Sequence, residues 1–108
     1  MTGQVLPFPK PVRMEDEDYK RFIRRQPCVV SGVQSEAHHV VPEGGGKVGS
    51  KVSDYRTVPL GFRLHNEYHR MGRKAFELKY NIDLDLVQIQ YLETYLSALR
   101  DGENLGAR

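Results

Sequence analysis

The chain has 108 residues, enough for one domain with a single core and no room for a second. Apolar residues make up 39% and charged residues 28%, and sixteen Lys and Arg against fourteen Asp and Glu leave a net charge of only +2. A polyanion-binding argument from the whole chain is therefore excluded, and only a local patch can carry one. The single cysteine, Cys28, excludes an internal disulfide. With a mean hydropathy of −0.57 and no long apolar run, the sequence predicts a soluble protein without a membrane span. The opening residues lack a signal-peptide core, which places the expectation in a reducing bacterial cytoplasm.

Residues 1–14 carry Pro7, Pro9 and Pro11 at alternate positions, a spacing that predicts an extended arm. From Glu15 to Asp18 four acids precede a basic stretch, and Tyr19, Phe22 and Ile23 fall on one helical face, so a helix is expected there until Pro27. Cys28 to Pro42 reads as a hairpin, with Cys28–Val30 as first arm and Ala37–Val41 as second. The glycine-rich run Pro42–Ser50 predicts a loop. From Leu60 the pattern turns helical through Leu64, Tyr68 and Met71, with Gly72 as cap. A further helix is expected over Lys74–Tyr80, and a last one over Leu84–Arg100 capped by Asp83. Its apolar stripe is read as Leu84, Val87, Tyr91, Leu92, Tyr95, Leu96 and Leu99, and residues 101–108 as a frayed tail. The class expected is α+β: a small β-hairpin and helix with flanking helices, one domain over 15–100.

All four histidines fall in two tight groups, His38-His39 and His65-x-x-x-His69. The second pair has helical i, i+4 spacing, so both rings leave one face and can converge on a metal ion. Adjacent strand residues point to opposite faces, so only one of His38 and His39 can join that set. The other is left for proton transfer, a role suited to an unperturbed pKa of about 6.5. Alternation alone does not say which does which.

The segments Ala37-His38-His39-Val40-Val41-Pro42 and Val58-Pro59-Leu60 followed by Leu64-His65-Asn66-Glu67-Tyr68-His69-Arg70 resemble the two halves of the HNH nuclease motif. In that family a β-hairpin and a helix clamp one divalent cation, the ββα-metal fold. The likeness extends to Tyr19, Phe22, Ile23, Pro27 and Cys28 upstream and to Lys74-Ala75-Phe76-Glu77, Tyr80, Ile82 and Asp83 downstream, over about residues 19–90. These flanks resemble small phage and prophage HNH proteins, including recombination-enhancing nucleases. The resemblance implies that His38, His65 and His69 are metal ligands and that His39 is the general base. It implies one divalent ion, Mg, Mn, Ni or Zn, and DNA as the partner, with phage recombination proteins as further partners.

Two departures from the family pattern bear on this. Many relatives hold a structural zinc with two CxxC pairs; the matching positions here are Cys28, Ser31, Gly61 and Leu64, so no structural zinc is expected. The Asn that names the motif is missing before the helix, and Asp54 or Thr57 is expected to brace that loop instead. Between Gly44 and Tyr80 eight basic residues face three acidic ones. Arg70, Arg73 and Lys74, with Lys47 and Lys51 from the loop, are therefore expected to contact DNA. Nothing in the sequence reads bases, so low or structure-based specificity is expected. The alternative reading is a metal-stabilised DNA-binding or recombination accessory module that does not cut.

Overall fold

A computed structural model describes residues 14–41 and 52–102. The expected arm up to residue 13, the glycine loop with Lys47 and Lys51, and the tail from residue 103 lie outside the described residues. The class is α+β. The elements run α1 (Glu17–Arg25), β1 (Glu36–His39), β2 (Thr57–Leu60), α2 (Phe62–Met71), α3 (Arg73–Tyr80) and α4 (Leu84–Arg100). Among the described residues no helix is long and apolar enough to cross a membrane.

Helix α1 starts where Asp16 caps it, the carboxylate accepting the Tyr19 amide at 3.0 Å. Its first turn is acidic and its last basic, the arrangement that complements the helix dipole. Tyr19, Phe22 and Ile23 are buried, as their spacing predicts. They form a hydrophobic cluster with Tyr95 of α4, whose ring meets that of Tyr19 edge-on at 5.0 Å.

The hairpin differs from the sequence expectation. Strand β1 pairs antiparallel with β2, in the register Glu36↔Leu60, Ala37↔Pro59, His38↔Val58 and His39↔Thr57. Cys28–Val30 is a turn and not an arm. The Gly32 amide donates to the Cys28 carbonyl and the Cys28 amide to the Val33 carbonyl, and Gly32 closes the turn with φ +76. The Val29 amide instead donates to the Pro59 carbonyl, fastening this turn to the outer side of β2. Pro59 is compatible with a two-stranded sheet because its missing donor interrupts no further ladder.

Only Gly61 separates β2 from α2. A Cβ there would stand 3.2 Å from Val33 Cγ2 and 3.3 Å from the Gln34 carbonyl oxygen, tighter than ordinary contact, so the close approach of the turn favours glycine. Helix α2 then packs Leu64 and Tyr68 into the main core with Cys28, Val40, Val58, Leu60, Phe76, Leu84 and Val87. Gly72, at φ +87, ends α2 and begins α3. Asp83 caps α4 by accepting the Asp85 and Leu86 amides. The buried face of α4 is Leu84, Val87, Gln88, Tyr95 and Ala98, whereas Leu96 and Leu99 are exposed, which corrects the expected stripe. Gln88 tolerates burial because its amide donates to the Leu84 carbonyl.

Candidate metal centre

Side chains of α2 reach β1 at His38, whose ring meets those of His65, Tyr68 and His69. Leu64 and Tyr68 are the residues α2 buries, so His65 and His69, each one position further, stand at the edge of that buried face. On β1, His38 points inward and is 2% exposed. Its ring lies edge-on to His65 at 4.3 Å and to His69 at 5.3 Å between centroids. One nitrogen from each of His38, His65 and His69 lies within 4.8 Å of the other two. The His65 and His69 Nε2 atoms are 2.9 Å apart. A tetrahedral site with bonds of 2.0–2.1 Å sets its nitrogens roughly 3.3 Å apart, a spacing close to that of the His65–His69 pair.

The polar atoms of the cluster fit a cation. Both ring nitrogens of His38 and the Nδ1 of His65 are buried with no hydrogen-bond partner among the described residues. An orphaned buried polar atom costs about 1–3 kcal/mol, and a metal ion is a fitting partner for the one lone pair that a neutral His38 ring carries. Burial, followed by the neighbouring imidazoles, pushes the His38 pKa down to about 3, so the ring remains neutral and able to ligate. Burial likewise lowers the pKa of His65. Glu36, two residues before His38 and on the same strand face, places a carboxylate oxygen 3.8 Å from His65 Nδ1. That separation is beyond hydrogen-bond distance, so Glu36 does not fix the tautomer of the ring.

His39, on the opposite face of β1, is not part of this cluster. Its Nε2 lies 2.9 Å from Asp54 Oδ1, and its side chain keeps 34% exposure against 3% for that of Asp54. At the two residues expected to brace the loop, the Thr57 hydroxyl donates to the Asp54 carbonyl at 2.8 Å and the Asp54 amide donates to the Met14 carbonyl. Burial raises the Asp54 pKa, but the hydrogen bonds from His39 and the Asp16 amide and the charge of Lys20 together bring it below the usual carboxylate range.

The basic residues divide. Arg70 and Lys74 are exposed, Arg70 lying 3.7 Å from Glu67. Arg73, expected on the same DNA surface, is turned inward with its side chain 11% exposed. It donates to the Val41 carbonyl at 2.9 Å and pairs with Asp85 at 2.9 Å and Glu77 at 3.5 Å. Two neighbours of the cluster escape the sequence reading. Tyr68 is one, and strand alternation alone would have found the other, Glu36.

Residues 3–98 match the family described as "Protein of unknown function (DUF968)". The chain belongs to the DUF968 family. It is similar to "Uncharacterized protein YdfU" of Escherichia coli (strain K12), 36% identical over 83 residues. That match covers 76% of this chain and 24% of YdfU, so the DUF968 chain spans about a quarter of its relative's length. No solved structure matches it.

Proposed function

We propose that this DUF968 protein is a metal-dependent endonuclease of the HNH type that hydrolyses DNA phosphodiester bonds. The observation that carries the reading is the convergence of His38, His65 and His69, with both His38 nitrogens unpartnered, one residue from a histidine held by a carboxylate. The HNH-like motif halves fall on β1 and on β2–α2, which supports the same reading. The protein is further proposed to be phage-encoded, to work in the bacterial cytoplasm, and to act with low or structure-based specificity in DNA recombination or processing.

His38, His65 and His69 would hold one divalent ion. When bound, such an ion supplies charge stabilisation for the scissile phosphate and the departing 3′ oxygen. His39 takes a proton from the attacking water as its oxygen bonds to phosphorus and the bond to the 3′ oxygen breaks. Arg70 and Lys74, exposed on α2 and α3, offer cations to the flanking phosphates.

Incubating supercoiled plasmid with the full chain and Mg, Mn, Ni or Zn, with EDTA as control, tests the reading. Nicking that requires metal and is abolished by EDTA is the expected result. Tight DNA binding without nicking under every metal would overturn it in favour of a non-cleaving accessory module.

A further inference from the structure

The carboxylate of Asp54 faces groups from α1 and from β1 that no local sequence pattern connects. Its Oδ2 accepts the Asp16 backbone amide at 2.8 Å and lies 3.8 Å from Lys20 Nζ. Its Oδ1 is 2.9 Å from His39 Nε2. Asp16 is itself fixed, since it caps α1 through Tyr19 and accepts the Tyr55 hydroxyl at 2.5 Å. The acceptor facing His39 is therefore anchored to the start of a helix on one side and to the loop before β2 on the other. An ionised carboxylate can only accept, so the hydrogen in the 2.9 Å contact belongs to His39 Nε2. In the neutral ring the lone pair is then on Nδ1.

We propose that Asp54 is a positioning residue that fixes His39 in its Nε2–H tautomer and so presents Nδ1 as the atom that accepts a proton from water. The catalytic part of this assignment rests on the nuclease reading above; the tautomer does not. Replacement by Asn makes the assignment testable without removing an atom. The Asp16 amide still needs an acceptor, so the Asn oxygen takes the Oδ2 place and its NH₂ turns toward His39. His39 Nε2 must then accept, and the ring hydrogen moves to Nδ1, where it blocks proton transfer. An Asp held against a catalytic His in serine proteases has this same tautomer-setting role.

The experiment records the ring ¹⁵N shifts of His39 in the full chain, at a pH well above the imidazole range, for the parent and Asp54→Asn. It is run beside plasmid nicking and metal titration on both proteins. The parent is expected to show Nε2–H and the variant Nδ1–H. The variant should nick about 10²–10⁴-fold more slowly, with KM and metal affinity unchanged. An Nδ1–H parent, a tautomer that Asp54→Asn leaves as it was, or a variant that reverses the tautomer yet nicks at the parental rate would each overturn the proposal. A parent that holds Nε2–H and loses it in Asp54→Asn, but fails to nick under every metal, overturns the nuclease reading while upholding the tautomer assignment.

Discussion

The ring of Tyr68 stands edge-on to that of His38, with centroids 4.4 Å apart and planes at 71°. Tyr68 also meets Phe76 at 5.5 Å, so the innermost histidine of the cluster leans on a side chain that belongs to the main core. On the proposed metal-binding reading, metal affinity and core packing are therefore coupled through one residue. Tyr68→Ala is expected to cost about 3–5 kcal/mol of stability, as for other buried aromatics, and to weaken metal binding by freeing the His38 ring. Tyr68→Phe keeps the wall and should leave metal affinity near the parental value. Urea denaturation and calorimetric zinc titration on both variants check this.

The neutrality of His38 has a consequence for the metal-free protein. Its pKa falls from 6.5 to about 3 on folding, chiefly through burial, so between those values the unfolded chain binds a proton that the native one refuses. Stability then rises with pH across the window and falls as the solution is acidified from about 6.5 toward about 3. Burial of His65 acts in the same direction. Thermal unfolding in EDTA should show a falling Tm over this range, and His38→Gln should flatten the slope.

The two roles assigned to histidine separate by substitution. His39→Ala removes no member of the three-nitrogen cluster, so it should retain one bound ion and parental DNA affinity while cleavage falls about 10²–10⁴-fold. His38→Ala and His69→Ala each remove a ligand and should lower both metal affinity and the Tm gained on adding metal. Loss of metal in His39→Ala together with its retention in His38→Ala would reverse the assignment within the pair.

Where local chemistry decides, the fold was legible. The acidic front of α1, the Gly72 cap and the Asp83 cap all lie where the sequence puts them, because each depends on residues within one turn. The i, i+4 spacing of His65 and His69 also survives folding unchanged. Pairing over distance was not legible. Cys28–Val30 is as apolar as a strand, but Gly32 folds it into a turn, and β1 finds its partner eighteen positions beyond its end, at Thr57. The choice of Gln88 and Ala98 over Leu96 and Leu99 for the buried face of α4 follows from where α1 and β2 happen to lie. The Asp54–His39 contact spans fifteen residues and depends on α1 as well, so no motif announces it.

The turn at Cys28 offers a further test. On the proposed HNH reading, the positions that match the cysteines of zinc-bearing HNH proteins bring Cys28 and Leu64 into one apolar cluster, with Gly61 against Cys28. Cys28→Ser should therefore leave the metal stoichiometry at one ion. Gly61→Ala should instead destabilise by about 1–3 kcal/mol, because the added methyl meets Val33 and the Gln34 carbonyl at distances tighter than ordinary packing. Metal analysis and denaturant unfolding distinguish the two effects; loss of a zinc equivalent in Cys28→Ser would overturn the first.

Three cations that the sequence groups together, Arg70, Arg73 and Lys74, divide in the structure. Arg73 bridges the Val41 carbonyl, at the end of the segment following β1, to Asp85 in the first turn of α4 and to Glu77 in α3. Removing it leaves a carbonyl and two carboxylates without their shared cation, in a place where the guanidinium is largely screened from water. Arg73→Ala should therefore cost about 1.5–3 kcal/mol of stability, the range of hydrogen bonds to a charged group. Arg70 and Lys74 carry no such load, being exposed on the surface of α2 and α3. Arg70→Ala and Lys74→Ala should leave the Tm within the scatter of surface substitutions but weaken DNA binding. For each phosphate that is no longer neutralised, the slope of log K against log salt should shrink by about 0.9. Fluorescence anisotropy with duplex DNA across a salt series, paired with thermal unfolding, reads both quantities. A salt slope unchanged in the Arg70→Ala, Lys74→Ala double variant would remove these residues from the DNA-binding surface.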